Sequence, residues 1–224
     1  MKLYMHPVSM TSRPVRLLIA EKGLDVEEQI VDLMAGEHHQ EPFVSINPSR
    51  LVPVLEDGDF RLTESSAILK YLADRFNLPE YPKDLKQRAR VNEVMDWTNT
   101  NFYRDWGYGL IYPQIFPHHR RPGDEAQRVT VEWGQGNSRR WLEVLDRHWL
   151  GHGNAYLTGE RITIADYFAS GIVTLGEVVR CDFAKYPNVA AWLQRMMSLK
   201  SWQSVNEAFY GFAGSLKDQT FVAV

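Results

Sequence analysis

Cysteine is almost missing. Cys181 is the single one in 224 residues, which excludes an internal disulfide and any CxxC redox pair. Thiol chemistry, if it occurs here, arrives with a ligand. Charge of one sign is missing as well, since 25 basic and 28 acidic residues leave a formal charge of -3. Such a chain has no broad attraction for phosphate backbones or anionic membranes, so neither nucleic acid nor membrane is an expected partner. No apolar run approaches the roughly 20 residues that cross a bilayer, and the opening "MKLYMHPVS" lacks the apolar core of a secretory signal. A cytoplasmic location is the resulting expectation. What is present is globular material, 44% hydrophobic and 12% aromatic, enough for one or two domains with a sizeable core.

The first eighty residues alternate in type. "KLYM" reads as a strand, "RPVRLLIAEKG" as a helix with Val15, Leu18 and Ile19 on one face and Gly23 as its stop, and "VEEQIVDL" as a second strand. After an irregular stretch, "VPVLEDGDFRLT" holds two alternating runs joined by Asp57-Gly58, a strong hairpin signal. "ESSAILKYLADRF" follows as a helix with Ile68, Tyr71 and Leu72 on its apolar face. The order β-α-β, loop, β-β-α predicts a mixed four-stranded sheet covered by helices, an α/β domain over residues 1–77.

"NLPEYPKD" carries two prolines and places a linker at 78–83, after which residues 84–224 read as helical throughout. Helical segments are expected over about 88–116, 124–150, 163–179 and 187–199, with a short one from Ser201. Trp133, Trp141, Leu145 and Trp149 recur at multiples of four and predict a buried stripe. Thr163 with Asp166 three positions on forms a capping box, with Ile162 and Tyr167 at the staple positions.

"HPVSMTSR" at 6–13 lies between the first strand and first helix. Thr11 and Ser12 sit where helix caps belong and Pro14 where a first-turn proline belongs, while Ser9 falls in the loop itself. "TESS" at 63–66 reads on its own as another cap, supplied by Thr63 or Ser65. His148 and His152 have helical spacing, but Gly151 interrupts them and no carboxylate completes a set, so no metal is expected. "NFYRDWGYGLIYPQIF" concentrates aromatics, glycines and Pro113 in one helix, which predicts distortion there.

"NPSRLVPVLEDGDFRLTESSAILKYLADRF" (47–76) and "TIADYFAS" (163–170) resemble the cytosolic glutathione transferases, in their serine-type, theta-, phi- or delta-like bacterial form. The resemblance covers nearly the whole chain. It implies a thioredoxin-like first domain, an all-helical second domain, glutathione as co-substrate, a homodimer and a role in detoxification. It also implies that Ser9 faces the glutathione sulfur, with Ser12 as the reserve hydroxyl. A cis Val52-Pro53 bond would present Val52 to the peptide, Glu64 and Ser65 would take its γ-glutamyl end, and His38 and Arg50 its glycine carboxylate. Leu51 stands where theta-like relatives carry a basic residue, a departure from the pattern. Tyr103, Trp106 and Tyr108 are the expected lining of a pocket for an apolar electrophile. Conjugation is the expected reaction, with dehalogenation and peroxide reduction as variants; the alternative is a non-catalytic ligand-binding or assembly module on the same fold.

Overall fold

The computed structural model describes all 224 residues. Four short strands, β1 (Lys2–Met5), β2 (Glu27–Ile30), β3 (Val54–Asp57) and β4 (Phe60–Leu62), form one sheet in the order β2-β1-β3-β4. β1 runs parallel to β2 and antiparallel to β3, which is antiparallel to β4, so the sheet is mixed as its pattern predicts. Alternation in β1 buries Leu3 and Met5 on one face. On that face lie α1 (Ser12–Lys22) and α3 (Ser65–Arg75), which bury Val15, Leu18, Ile68 and Leu72. Gly23, at φ 61, ends α1 in the left-handed conformation, and the Leu24 N–H reaches back to the Ile19 carbonyl. The short α2 (Phe43–Ile46) lies before β3.

The remainder is helical. α4 (Leu85–Trp97) starts at Asp84, whose carboxylate accepts the Gln87 N–H at 2.9 Å. It continues as a π-wound segment, Thr98–Ile111, then α5 (Tyr112–Ile115) and a 3-10 turn, Pro117–His119. α6 (Asp124–Val144), α7 (Ile164–Val173), α8 (Pro187–Met197) and α9 (Trp202–Ser215) complete the half. The capping box of α7 is formed: Asp166 Oδ2 accepts the Thr163 N–H, and Oδ1 accepts from Leu157 N and Trp192 Nε1.

The tryptophan stripe needs correction. Leu145 and Trp149 are buried, but Trp133 is 54% exposed. The inward line of α6 runs instead through Val131, Gly134, Ser138 and Leu142, because small residues let α6 approach the π-wound segment closely. A Cβ on Gly134 would stand 2.3 Å from the carbonyl carbon of Gly109. Backbone proximity, and not aromatic bulk, selects the buried face.

A single cluster of 47 buried apolar residues runs through both halves of the chain. At the seam, Pro14 of α1 lies against Gly171 of α7, where a Cβ would meet the proline ring at 2.6 Å. Beside it, Arg13 is buried; its Nη2 donates to Thr174 Oγ1 at 2.5 Å and to the Gly171 carbonyl at 3.3 Å, and its guanidinium lies over Phe209. These contacts clamp the start of α1, and with it the 6–11 loop, onto the helical half.

Candidate active site

The loop after β1 brings three hydroxyls together, and the backbone sorts them. Ser9 Oγ accepts the Ser12 N–H at 3.2 Å and lies 3.1 Å from Thr11 Oγ1. Thr11 in turn donates to the Val52 carbonyl at 2.9 Å. A hydroxyl has one proton, and that of Thr11 is committed to Val52, so Ser9 is the donor in the contact between them. The expected caps are therefore exchanged: Thr11 makes no cap bond, and the first turn of α1 is met by Ser9, through both its hydroxyl and its carbonyl. Ser12, the reserve hydroxyl, is fully buried, accepts the His6 N–H and lines neither cavity described below. Ser9 does line one.

A polar cleft of about 320 Å³ lies beside this loop, between the Val52-Pro53 bend, the start of α3 and the π-wound segment. Val52-Pro53 is cis, as is Glu41-Pro42, which the sequence reading did not single out. The Val52 N–H has no acceptor within the chain. At the start of α3, Glu64 has φ 64 and ψ 111, a conformation unusual for a residue with a side chain. No side chain caps α3, so the reading of "TESS" as a plain cap fails. Thr63, Glu64, Ser65 and Ser66 all line the cleft, and the first N–H groups of an uncapped helix form a site for an anion. Asn99 and Arg104 close the cleft from the helical side; neither was among the expected site residues. Thr100, next to Asn99, donates its hydroxyl to the Asp96 carbonyl and does not line the cleft.

A second cavity, about 240 Å³ and mostly apolar, adjoins the first. Thr11, Leu51, Val52, Tyr103 and Tyr108 line both, and Ser9 lines the apolar one. Its wall depends on the winding of the helix. Tyr103 and Tyr112 stand nine positions apart, which at 3.6 residues per turn is about two and a half turns and opposite faces. With i→i+5 bonding the repeat lengthens to about 4.4 residues, and positions 103, 108 and 112 come onto one face. The Tyr103 and Tyr112 hydroxyls meet at 2.5 Å, and burial raises the ionisation of both phenols far above the ordinary range. The same winding turns Trp106 away. It is fully buried, donates through Nε1 to the Ile172 carbonyl and lines neither cavity, so the expectation that it lines the electrophile pocket is overturned.

His38, Arg50 and Leu51 complete the rim. His38 sits in a 3-10 turn, Glu37–His39, and its buried Nδ1 has no hydrogen-bond partner. Burial, then the neighbouring His39, His118 and His6, push its imidazole below the usual range. Arg50, at φ 58, is exposed and forms no ion pair, and Leu51 is 60% exposed. All three line the apolar cavity, and Leu51 also lines the polar one. Ile115, Phe116, His118, His119 and Phe212 also line the apolar cavity and were not anticipated. The signal available for the histidines was the "PHH" following a run of aromatics.

The pairing of an anion site and a free backbone edge with an apolar cavity suits a small peptide on one side and an apolar reactant on the other. Comparison with known proteins agrees. The model of the glutathione S-transferase N-terminal domain matches residues 1–74, and that of the C-terminal domain residues 115–200. Human glutathione S-transferase theta-1 is 34% identical over 199 residues, covering 88% of this chain and 82% of that protein. The structure of human glutathione transferase theta-2 in complex with glutathione and an unknown ligand superposes with a TM-score of 0.84 at 28% identity, over 100% of this chain and 93% of that one. A delta-class glutathione transferase from Nilaparvata lugens gives 0.79 at 30% identity, over 96% and 98%. By the extent of these matches, the chain belongs to the glutathione S-transferase family.

Proposed function

We propose that this protein is a glutathione transferase in which Ser9 stabilises the thiolate of bound glutathione for attack on an electrophile held against Tyr103 and Tyr108. Residues 1–77 form the glutathione-binding domain, 78–83 the linker and 84–224 the domain that lines the electrophile site. Glutathione lies extended in the polar cleft, pairing with Val52 beside Pro53 as a short strand would. Its γ-glutamyl carboxylate meets the N–H groups of Ser65 and Ser66 at the positive end of α3, and Glu64 accepts from its ammonium. Its glycine carboxylate extends toward His38 and Arg50.

The observation that carries this reading is the shared edge of the two cavities, where Thr11, Val52, Tyr103 and Tyr108 line both and Ser9 stands beside them. The Ser12 N–H holds Ser9 Oγ as an acceptor, and its proton, given to Thr11 Oγ1 in the free protein, is the one that turns to the sulfur when glutathione binds. A hydrogen bond to an ionised group is worth about 1.5–3 kcal/mol, or one to two pKa units. From a free thiol near ~8.5, that brings a large thiolate fraction at neutral pH. The thiol proton leaves to solvent, the sulfur lone pair forms the S–C bond, and the leaving group departs with the electrons of its own bond. Ser9 forms no covalent bond.

A homodimer, cytoplasmic and acting in detoxification, fits the same reading. Phe60, Val129 and Trp133 remain 46%, 49% and 54% exposed and are apolar surface for a second subunit. The deciding measurement is an absorbance titration of the thiolate of bound glutathione in the wild type and in Ser9→Ala. We expect a depressed thiol pKa in the wild type that rises by about one to two units in the variant. An undepressed pKa in the wild type would favour a carrier without turnover.

A further inference from the structure

The apolar cavity has an unusual charge inventory. Four imidazoles, those of His6, His38, His118 and His119, and the guanidinium of Arg50 line it, and no aspartate or glutamate does. Neither His118 nor His119 makes a side-chain hydrogen bond within the chain, although both rings are held. His118 stacks on Phe116 at 5.6 Å, and His119 lies 5.5 Å from the Tyr108 ring and 5.2 Å from that of Tyr112. Their N–H groups are thus fixed in direction by aromatic packing and left for something else to use.

We propose, resting on the transferase reading above, that the second substrate carries a carboxylate-type anion on an apolar body, and that His118 and His119 bind that anion. His38 and Arg50 are engaged by the glycine carboxylate of glutathione in that reading. His6 is turned to the backbone, its Nδ1 accepting the Val8 N–H at 3.3 Å. His118 and His119, on the turn after α5, are what remains for a second anion. Tyr103, Tyr108, Tyr112 and Phe212 form the apolar surround, which suits an aryl body, and a lining with Arg50 and four imidazoles but no carboxylate favours an anion on it over a cation.

The charged groups that act on His119 and His38 agree in sign. His119 feels His118 and Arg121, and His38 feels His39, His118 and His6; burial and these cationic neighbours push both imidazoles below the usual range. On His6, burial and Arg16 oppose the proton and Asp32 favours it, with the net direction downward. An anion placed among them relieves the mutual repulsion and favours protonation. Affinity for an anionic ligand is therefore higher at low pH and falls as the imidazoles lose their protons.

The test uses two bound conjugates of the same shape, S-(4-carboxybenzyl)glutathione and S-(4-carbamoylbenzyl)glutathione, with S-benzylglutathione as the reference, titrated calorimetrically at pH 5.5 and 8. The shared glutathione part cancels in the ratio of the two affinities. We expect a carboxylate preference of roughly fivefold or more at pH 5.5, shrinking toward unity at pH 8, and abolished in His118→Gln/His119→Gln. The double variant should still bind S-benzylglutathione, which shows that it is folded. Equal affinities at pH 5.5, or a preference that survives the double substitution, would overturn the proposal while leaving the transferase reading intact. Failure of the wild type to bind S-benzylglutathione would overturn both.

Discussion

A serine that both receives the first N–H of a helix and offers its own proton to a neighbour is held along two of its hydrogen-bonding directions at once. Ser9 is in that position, and its place in the loop was legible from "HPVSMTSR", whereas its duty as the cap was not. Cap preferences pointed to Thr11 and Ser12, but each found a longer-range partner, Val52 and His6, that no local rule describes. Cys181 was readable as a bystander, and its surroundings sharpen that. Burial pushes its thiol up to about 11, so almost none is thiolate at neutral pH. Labelling the native protein with a thiol reagent at pH 7.5 should leave Cys181 unmodified over minutes, and Cys181→Ser should keep full conjugating activity. Asp166 is the opposite case, a buried carboxylate that the fold uses. Burial pushes it up to about 6 despite hydrogen bonds from Leu157, Thr163 and Trp192 that favour its charge. The proton therefore binds the folded state more tightly than the unfolded chain, where the carboxyl titrates near ~3.9. Its contribution to stability is full below about pH 4 and is lost as pH rises through about 6. Chemical denaturation from pH 4 to 7 should show that component vanish in Asp166→Ala, which also loses at least about 3 kcal/mol by stranding four donor groups on Leu157, Thr163 and Trp192.

Among the elements, those with a regular period were legible and the one with an altered period was not. β1, the β3-β4 hairpin, α1 and the capped start of α7 fall where alternation, an Asp-Gly turn, a glycine stop and a Thr-x-x-Asp box place them. Distortion of the helix after Trp97 was legible in Gly107, Gly109 and Pro113, but its direction was not. Only the lengthened repeat puts Tyr103 and Tyr108 on the cavity and Trp106 in the core, and no residue count at 3.6 per turn predicts that. The winding is supported by α6, which lies so close that Gly134 and Gly109 touch through their backbones. Because the neighbouring atoms are backbone and cannot swing aside, Gly134→Ala must separate the two elements. We expect a loss of about 2–3 kcal/mol by denaturant midpoint, with KM for the electrophile rising as the tyrosine wall moves. Gly136→Ala, two positions along on the same helix with nothing within 4 Å, should be neutral or slightly stabilising.

At the scale of the molecule, the first domain and the helical remainder are distinct in sequence but share one core, and Arg13 is the charge that crosses the seam. It is 1% exposed, and burial brings its guanidinium down to about 10, with no carboxylate in hydrogen-bond contact to offset the desolvation. A buried charge so placed contributes through shape and through the Thr174 and Gly171 acceptors more than through ion pairing. Two substitutions separate these contributions. Arg13→Ala removes the packing on Phe209 and should cost about 3 kcal/mol or more, whereas Arg13→Met keeps most of the volume without the charge and should cost far less. The same seam predicts how the chain unfolds. Since 47 buried residues form one cluster across both halves, tryptophan fluorescence, reporting only the helical half where every tryptophan lies, should melt together with far-ultraviolet dichroism. Two separated transitions would mean that the halves are independent. A segment ending at residue 80 would expose Val15, Leu17 and the Arg13 guanidinium to water without their partners, and should fail to give a cooperative transition of its own.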